Sequence, residues 1–287
     1  MYRSMLVAAL LLAACSDSNG DNGPSAGVDN SNAVDAATAS ADETEQAVDA
    51  IAGTTAALSP AGLRAADLRA LAIPLRPLCA TVSSSTDTDG DGTVDNATYT
   101  YALPACALAS FRGGSLELTG AIRIADPDPQ PGYTYQLEYQ DFKWNMAMPD
   151  TTQSFATTRN GVRSLALENG TLVLTSSLSM QRGFGVRGDA NVGSEIRSVF
   201  SPAASLTFGL PMPSGEISQS GTVTMLRRGV TERYEVRTQT PLSIDATCAA
   251  YPRISAGEVH YVLADSSYVK VAWPGCGLRP TIEFVAP

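Results

Sequence analysis

The chain has a single histidine, His260, so a hydrolytic triad or a histidine-built metal site would have to rest on it. It sits in "VHYVL", where Val259, Tyr261 and Leu263 share the apolar face and leave His260 on the other, as a solvent-facing strand residue. No two cysteines stand at C-x-x-C spacing, which removes the usual zinc knuckle. Positive charge is scarce as well. There are 19 Lys and Arg against 29 Asp and Glu, a net charge of −10, which argues against nucleic acid as a partner. Residues 16–50 hold eight acidic groups and no basic one, leaving 21 acidic against 18 basic from residue 51 onward. The one strongly apolar run, 5–14, is too short to cross a bilayer as a stable helix.

That run follows Arg3 and reads as the core of a secretory signal, so it is set aside from the fold. It ends in Leu12-Ala13-Ala14-Cys15, with small residues before a thiol, and so resembles the lipobox of bacterial lipoproteins. The resemblance implies cleavage of 1–14, fatty acylation of Cys15 (palmitate among the acyl groups) on sulfur and amine, and a membrane as partner. Two or more acyl chains anchor a protein stably where one does not. Ser16 stands where an aspartate would signal inner-membrane retention, so the outer membrane is the expected address.

Residues 15–40 are mostly Ser, Asn, Asp, Gly and Ala, with only Val28 and Val34 as sizeable apolar groups after Cys15, and read as a disordered acidic tether. Residues 41–76 read as a helical segment. Val48, Ile51, Thr55 and Leu58 fall on one face, and "SPAGLRAADLRAL" opens a second helix with Ser59 as its N-cap and Pro60 at its first position. From 77 to 287 the period becomes two. "SLELTGAIRI", "TLVLTSSLSM" and "YEVRTQTPLSIDATC" alternate cleanly, with turns such as "DPDPQPG" and "ENG" between such runs. The expected fold is all-β: a mainly antiparallel sheet of roughly ten to twelve strands, as a sandwich or an open or closed barrel, with a short N-terminal helical segment. In "GYTYQLEYQDFKWNMAM" the apolar phase shifts by one residue near Gln140 and Asp141, which predicts a bulge or a change of face.

Apart from Cys15, four cysteines remain, and in an exported chain an even number implies disulfides. Of three possible pairings, Cys79–Cys106 and Cys248–Cys276 are expected, because each brackets a self-contained unit.

Between them lies "STDTDGDGTVDN". Asp87, Asp89, Asp91, Thr93 (through its carbonyl) and Asp95 take positions 1, 3, 5, 7 and 9 of a calcium loop spanning 87–98, with Gly92 at the sharp turn. The loop resembles EF-hands and, more closely, the aspartate-rich repeats of thrombospondin type 3. It departs from the EF-hand at position 12, where Thr98 replaces the bidentate glutamate, and the following "ATYTYAL" reads as a strand. The cofactor expected is therefore a structural Ca2+, weakly held; the competing reading is a solvated acidic turn.

Other motifs reduce to structure. "GFGVRG", 183–188, fits the dinucleotide glycine pattern but no helical period follows it, so it reads as a turn. "SYVK" fits S-x-x-K, but Val269, Val271 and Trp273 alternate as a strand and set Ser267 and Lys270 on opposite faces. Glu138 and Asp141 are the nearest carboxylate pair on a strand, again on opposite faces unless the bulge turns one over. Tyr133, Tyr135, Tyr139, Phe142 and Trp144 read as sheet core before a glycan or lipid platform. The function expected is a non-catalytic, outer-membrane-anchored lipoprotein whose β domain binds or scaffolds. The alternative is a periplasmic carrier of lipid or another hydrophobic ligand, since lipoprotein-carrier proteins resemble an open barrel with helices over its mouth. A carboxylate-based hydrolase comes third.

Overall fold

The computed structural model describes residues 30–54, 79–83, 86–91, 94–109, 115–128, 130–147, 154–184, 187–206, 213–248 and 252–287. The signal segment, Cys15 and the helix expected from Ser59 lie outside the described residues.

The first element corrects the tether. Helix α1 spans Asn30–Thr54, so its first eleven residues fall within the stretch expected to be disordered. A count of large apolar groups misses this helix, because it is built from small ones. Residues 30–52 hold eight alanines and neither Gly nor Pro, which makes them strongly helix-forming. Ala33, Ala36, Ala37, Ala39 and Ala41 are all buried, and so is every residue from 43 to 48, whichever way it points. From 43 to 48 burial runs around the whole circumference, so that part of the helix lies inside the domain, while Val34, Thr38 and Asp42 form a half-buried stripe.

What surrounds it is one antiparallel meander. The strands are β1 (Thr81–Val82), β2 (Asn96–Tyr101), β3 (Ala107–Ala109), β4 (Ser115–Ala125) and β5 (Tyr135–Ala147). Four long ones follow: β6 (Ser154–Glu168), β7 (Thr171–Gly183), β8 (Asp189–Pro202) and β9 (Gly215–Arg227). Then come β10 (Val230–Ile244), β11 (Ile254–Val262), β12 (Tyr268–Ala272) and β13 (Thr281–Val285). Each pairs with the next in chain order, save that β3 sits beside β4 and off the path. The all-β expectation holds, with the sheet as a single one. The sheet is curled, and among the described residues no ladder joins β13 to β1. It curls because α1 must be covered: side chains from β6, β7, β9 and β11 all reach the one helix.

The alternating residues form the inner face as expected. Leu118, Ile122 and Ile124 of β4 are buried, as are Leu172, Leu174, Leu178 and Met180 of β7. Tyr133, Tyr135, Tyr139 and Phe142 join them, while Trp144 is half-buried. The phase shift is a bulge in β5. Tyr139 pairs with Gly161 but Phe142 with Arg159, and Asp141 takes φ 47°. Gly120 of β4 lies against it at φ 92°, and a Cβ there would fall 2.2 Å from the Asp141 carbonyl oxygen. Only glycine fits that contact. Both expected disulfides form, Cys79 with Cys106 and Cys248 with Cys276.

Candidate functional site

Strand parity puts charge on the apolar face. In β6 the inward phase runs Thr157, Arg159, Gly161, Arg163, Leu165, and in β9 it runs Val223, Met225, Arg227. Arg163 is 1% exposed, Arg159 5% and Arg227 6%, a placement that needs compensating charge. The acids of α1 supply it. Glu43 uses one carboxylate oxygen on Arg159 and the other on Arg163, the latter at 2.5 Å. Asp35 likewise spans Arg227 at 2.8 Å and Arg187 at 2.6 Å. Asp42 pairs with Arg182 at 2.6 Å, nearer the surface.

Neutral contacts complete the helix–wall seam. Thr44 Oγ1 donates to Gln219 Oε1 at 3.0 Å, and Gln219 Nε2 to Ser198 Oγ at 2.9 Å. The Tyr261 hydroxyl donates to Ser40 Oγ at 3.0 Å, and Trp273 Nε1 to Glu45 Oε1 at 3.2 Å. Burial pushes the Tyr261 phenol up to about 12, so it stays protonated and able to donate. None of these arginines or helix acids was singled out by motif. The signal was available in strand parity: four arginines, Arg159, Arg163, Arg182 and Arg227, on apolar phases, and an upstream stretch with acids and no bases.

The acidic loop is partly assembled. Ligand atoms of Asp87, Asp89 and Asp91 lie within 4.8 Å of one another. Asp87 and Asp89 also accept backbone N–H groups of Gly90 and Asp91, while Asp91 accepts from Gly132 at 3.2 Å, tying this loop to the β4–β5 connection. Asp95 turns elsewhere and accepts from Thr86 Oγ1, Thr88 Oγ1 and the Thr88 N–H. Thr93 and Gly92 lie outside the described residues. Thr98 is in β2, pairing with Arg123, so the position-12 ligand has no substitute there. One acid was missed: Asp126. Burial first, then the charges of Asp91, Asp89 and Asp128, push its carboxyl up to about 6, against the lowering effect of the Asp128 N–H. Convergent hard oxygens fit a divalent cation of calcium type, with a donor set among the described residues smaller than an EF-hand's.

The remaining motif residues have structural partners. His260 stacks on Tyr268 with ring centroids 4.2 Å apart and meets Glu258 at 2.5 Å. Ser267 is buried and donates to Asp265, whereas Lys270 pairs with Glu283, so the two do not face each other. Glu138 meets Arg123 at 3.4 Å, and Asp141 accepts from Asn160 Nδ2 at 2.9 Å. Of "GFGVRG", Gly183 closes β7 and Gly188 precedes β8, with Phe184 N donating to Gly188 O at 3.1 Å, while Gly185 and Val186 lie outside the described residues.

A groove of about 380 Å³ separates α1 from β5–β7. Val34, Asp35 and Thr38 form its helix side, Trp144, Ala156 and Thr157 its floor, and Arg182, Phe184 and Arg187 one end.

No protein-family model matches the chain, and no curated protein or solved structure matches it either.

Proposed function

We propose that the protein is a non-catalytic lipoprotein of the outer membrane, anchored by acyl groups at Cys15, whose β domain binds a partner or scaffolds the envelope. The observation that carries the non-catalytic part is the use made of the interior carboxylates. Asp35 and Glu43 are each held by two arginines, and Glu45 accepts from Trp273, which suits fastening a helix rather than proton transfer. The anchor rests on the lipobox resemblance of Leu12-Ala13-Ala14-Cys15. A structural Ca2+ at Asp87, Asp89 and Asp91 would order the 87–98 loop without defining an activity. The carrier reading is favoured by one feature, the groove beside α1.

The anchor is tested by changing Cys15 to Ser. Labelled palmitate should no longer be incorporated and the protein should leave the membrane fraction; unchanged membrane association removes the lipoprotein reading. Native mass spectrometry of the membrane-purified protein separates binding of a small ligand from binding of a protein partner.

A further inference from the structure

The groove beside α1 exists because the helix lies to one side of the curled sheet. α1 packs against β8–β13, whereas β6 and β7 reach it largely through long arginines. The space left over has an unusual lining. Trp144, Val34, Ala156 and Phe184 give it apolar wall, and Trp144 stays half-buried where Phe142 of its own strand and Leu118 across from it are fully buried. Three guanidiniums gather at the Phe184 end. Arg182 and Arg227 lie over its ring at 5.6 and 4.9 Å, and Arg187 lines the groove beside it.

Among the described residues two carboxylates, Asp35 and Asp42, answer those three cations. Arg182 and Arg187 each give a single nitrogen to their acid and remain 31% and 47% exposed, so further N–H donors face the opening. Arg227 is 95% buried in its side chain and its Nε has no hydrogen-bond partner. Among the described residues these pairs leave one guanidinium charge over, which with spare fork-shaped donors and an apolar wall forms a complementary set for one kind of molecule. We propose that the groove between α1 and β5–β7 seats a single-chain carboxylate amphiphile, its head on Arg182 and Arg187 and its chain along Trp144 and Ala156. A monoanion matches the one charge left over among the described residues, whereas a phosphate monoester would exceed it.

This deepens the binding reading of the β domain, and its failure shows in a titration, whereas failure of the anchor reading shows in membrane fractionation. The full chain carrying Cys15→Ser, which needs no detergent, is titrated with decanoate while tryptophan emission is followed. A saturable change is expected, absent in Trp144→Phe, with decanol and decyltrimethylammonium giving none at equal concentration. Arg182→Gln with Arg187→Gln should weaken decanoate binding about tenfold or more, measured by calorimetry. Ala156→Leu, which keeps every charge and fills the groove, should abolish it while circular dichroism stays that of the parent. No saturable response, equal responses to the three amphiphiles, or unchanged binding in folded Ala156→Leu protein would each overturn the proposal.

Discussion

Glu43 meets Arg163 at 2.5 Å in the interior, and the same carboxylate holds Arg159 through its other oxygen. One helix acid therefore compensates two buried wall cations. Removing one member of a buried pair costs about 3–5 kcal/mol, because an uncompensated charge stays behind. Glu43→Gln keeps the shape and removes the charge, so urea unfolding of the full chain should show a loss of that order. A loss under about 1 kcal/mol, the range of exposed pairs, would mean that water reaches these arginines.

This pairing also marks where sequence reading ran out. Strand alternation was legible because period two depends only on each residue and its neighbours in the chain, and so was the β5 bulge, which shows as a slipped phase. The two disulfides were legible from local bracketing. The helix from Asn30 to Ser40 was not, because large apolar side chains mark burial in a sequence and this segment is buried through alanine and charge. Its stability depends on Arg159, Arg163 and Arg227, more than a hundred residues downstream, and no local rule connects them. The acidic loop lay between these cases. Asp87, Asp89 and Asp91 were readable by spacing, while Asp126 comes near them only through the β2–β4 pairing.

The first disulfide should matter most at the sheet edge. β1 has only two residues and leans on β2 through Thr81–Thr100 and Val82–Tyr99, with Ser83 N donating to Thr98 O at 3.0 Å. Cys79 and Cys106 stand 27 residues apart, and opening a loop of that length removes about 3.5 kcal/mol in the chain-entropy model. Replacing both by Ala should abolish hydrogen-exchange protection at Ser83 while β7 and β8 keep theirs. Retained protection at Ser83 would show that the ladder holds the edge alone.

Gly120 should not tolerate a side chain. The Cβ of Gly120→Ala would meet backbone, the Asp141 carbonyl, at 2.2 Å, and φ 92° is strained for alanine. A fall of at least about 2 kcal/mol is expected in urea unfolding, as for other substitutions forced into an incompatible backbone. Gly170→Ala, in open space at φ 81°, controls for the backbone term alone and should cost less. Equal losses would show that the β5 bulge yields.

Asp126 gives a pH signature with a definite sign. Its folded value of about 6 lies above the ~3.9 of an unfolded aspartate. The folded state thus binds the extra proton, and its advantage is full below about pH 4 and lost as pH rises through 6. In chelator, Asp126→Asn should match the parent near pH 4 and become the more stable of the two by pH 7. Asn keeps an oxygen to accept the Asp128 N–H, now 2.9 Å from Asp126 Oδ1, so the comparison isolates charge. Parallel pH curves for the two proteins would remove the argument.

Calcium should act on the same cluster in the opposite sense. At about 1 mM free ion and a Kd near 10⁻⁴ M, mass action stabilises the folded state by about 1.4 kcal/mol, a rise of a few degrees in Tm. Magnesium should do much less, since it demands near-octahedral geometry and sheds water reluctantly. Asp91 is 2% exposed and accepts the Gly132 N–H, so an ion there would fasten the 87–98 loop to the β4–β5 connection as well. Asp89→Asn with Asp91→Asn should erase the calcium response and leave the metal-free protein unharmed or slightly more stable, because like charges are relieved. The test needs the chain from Asn30 onward, since trimming at residue 41 would cut Asp35 away from Arg227 and Arg187. Melting that ignores millimolar calcium in the parent would leave these aspartates as a hydrogen-bonded turn.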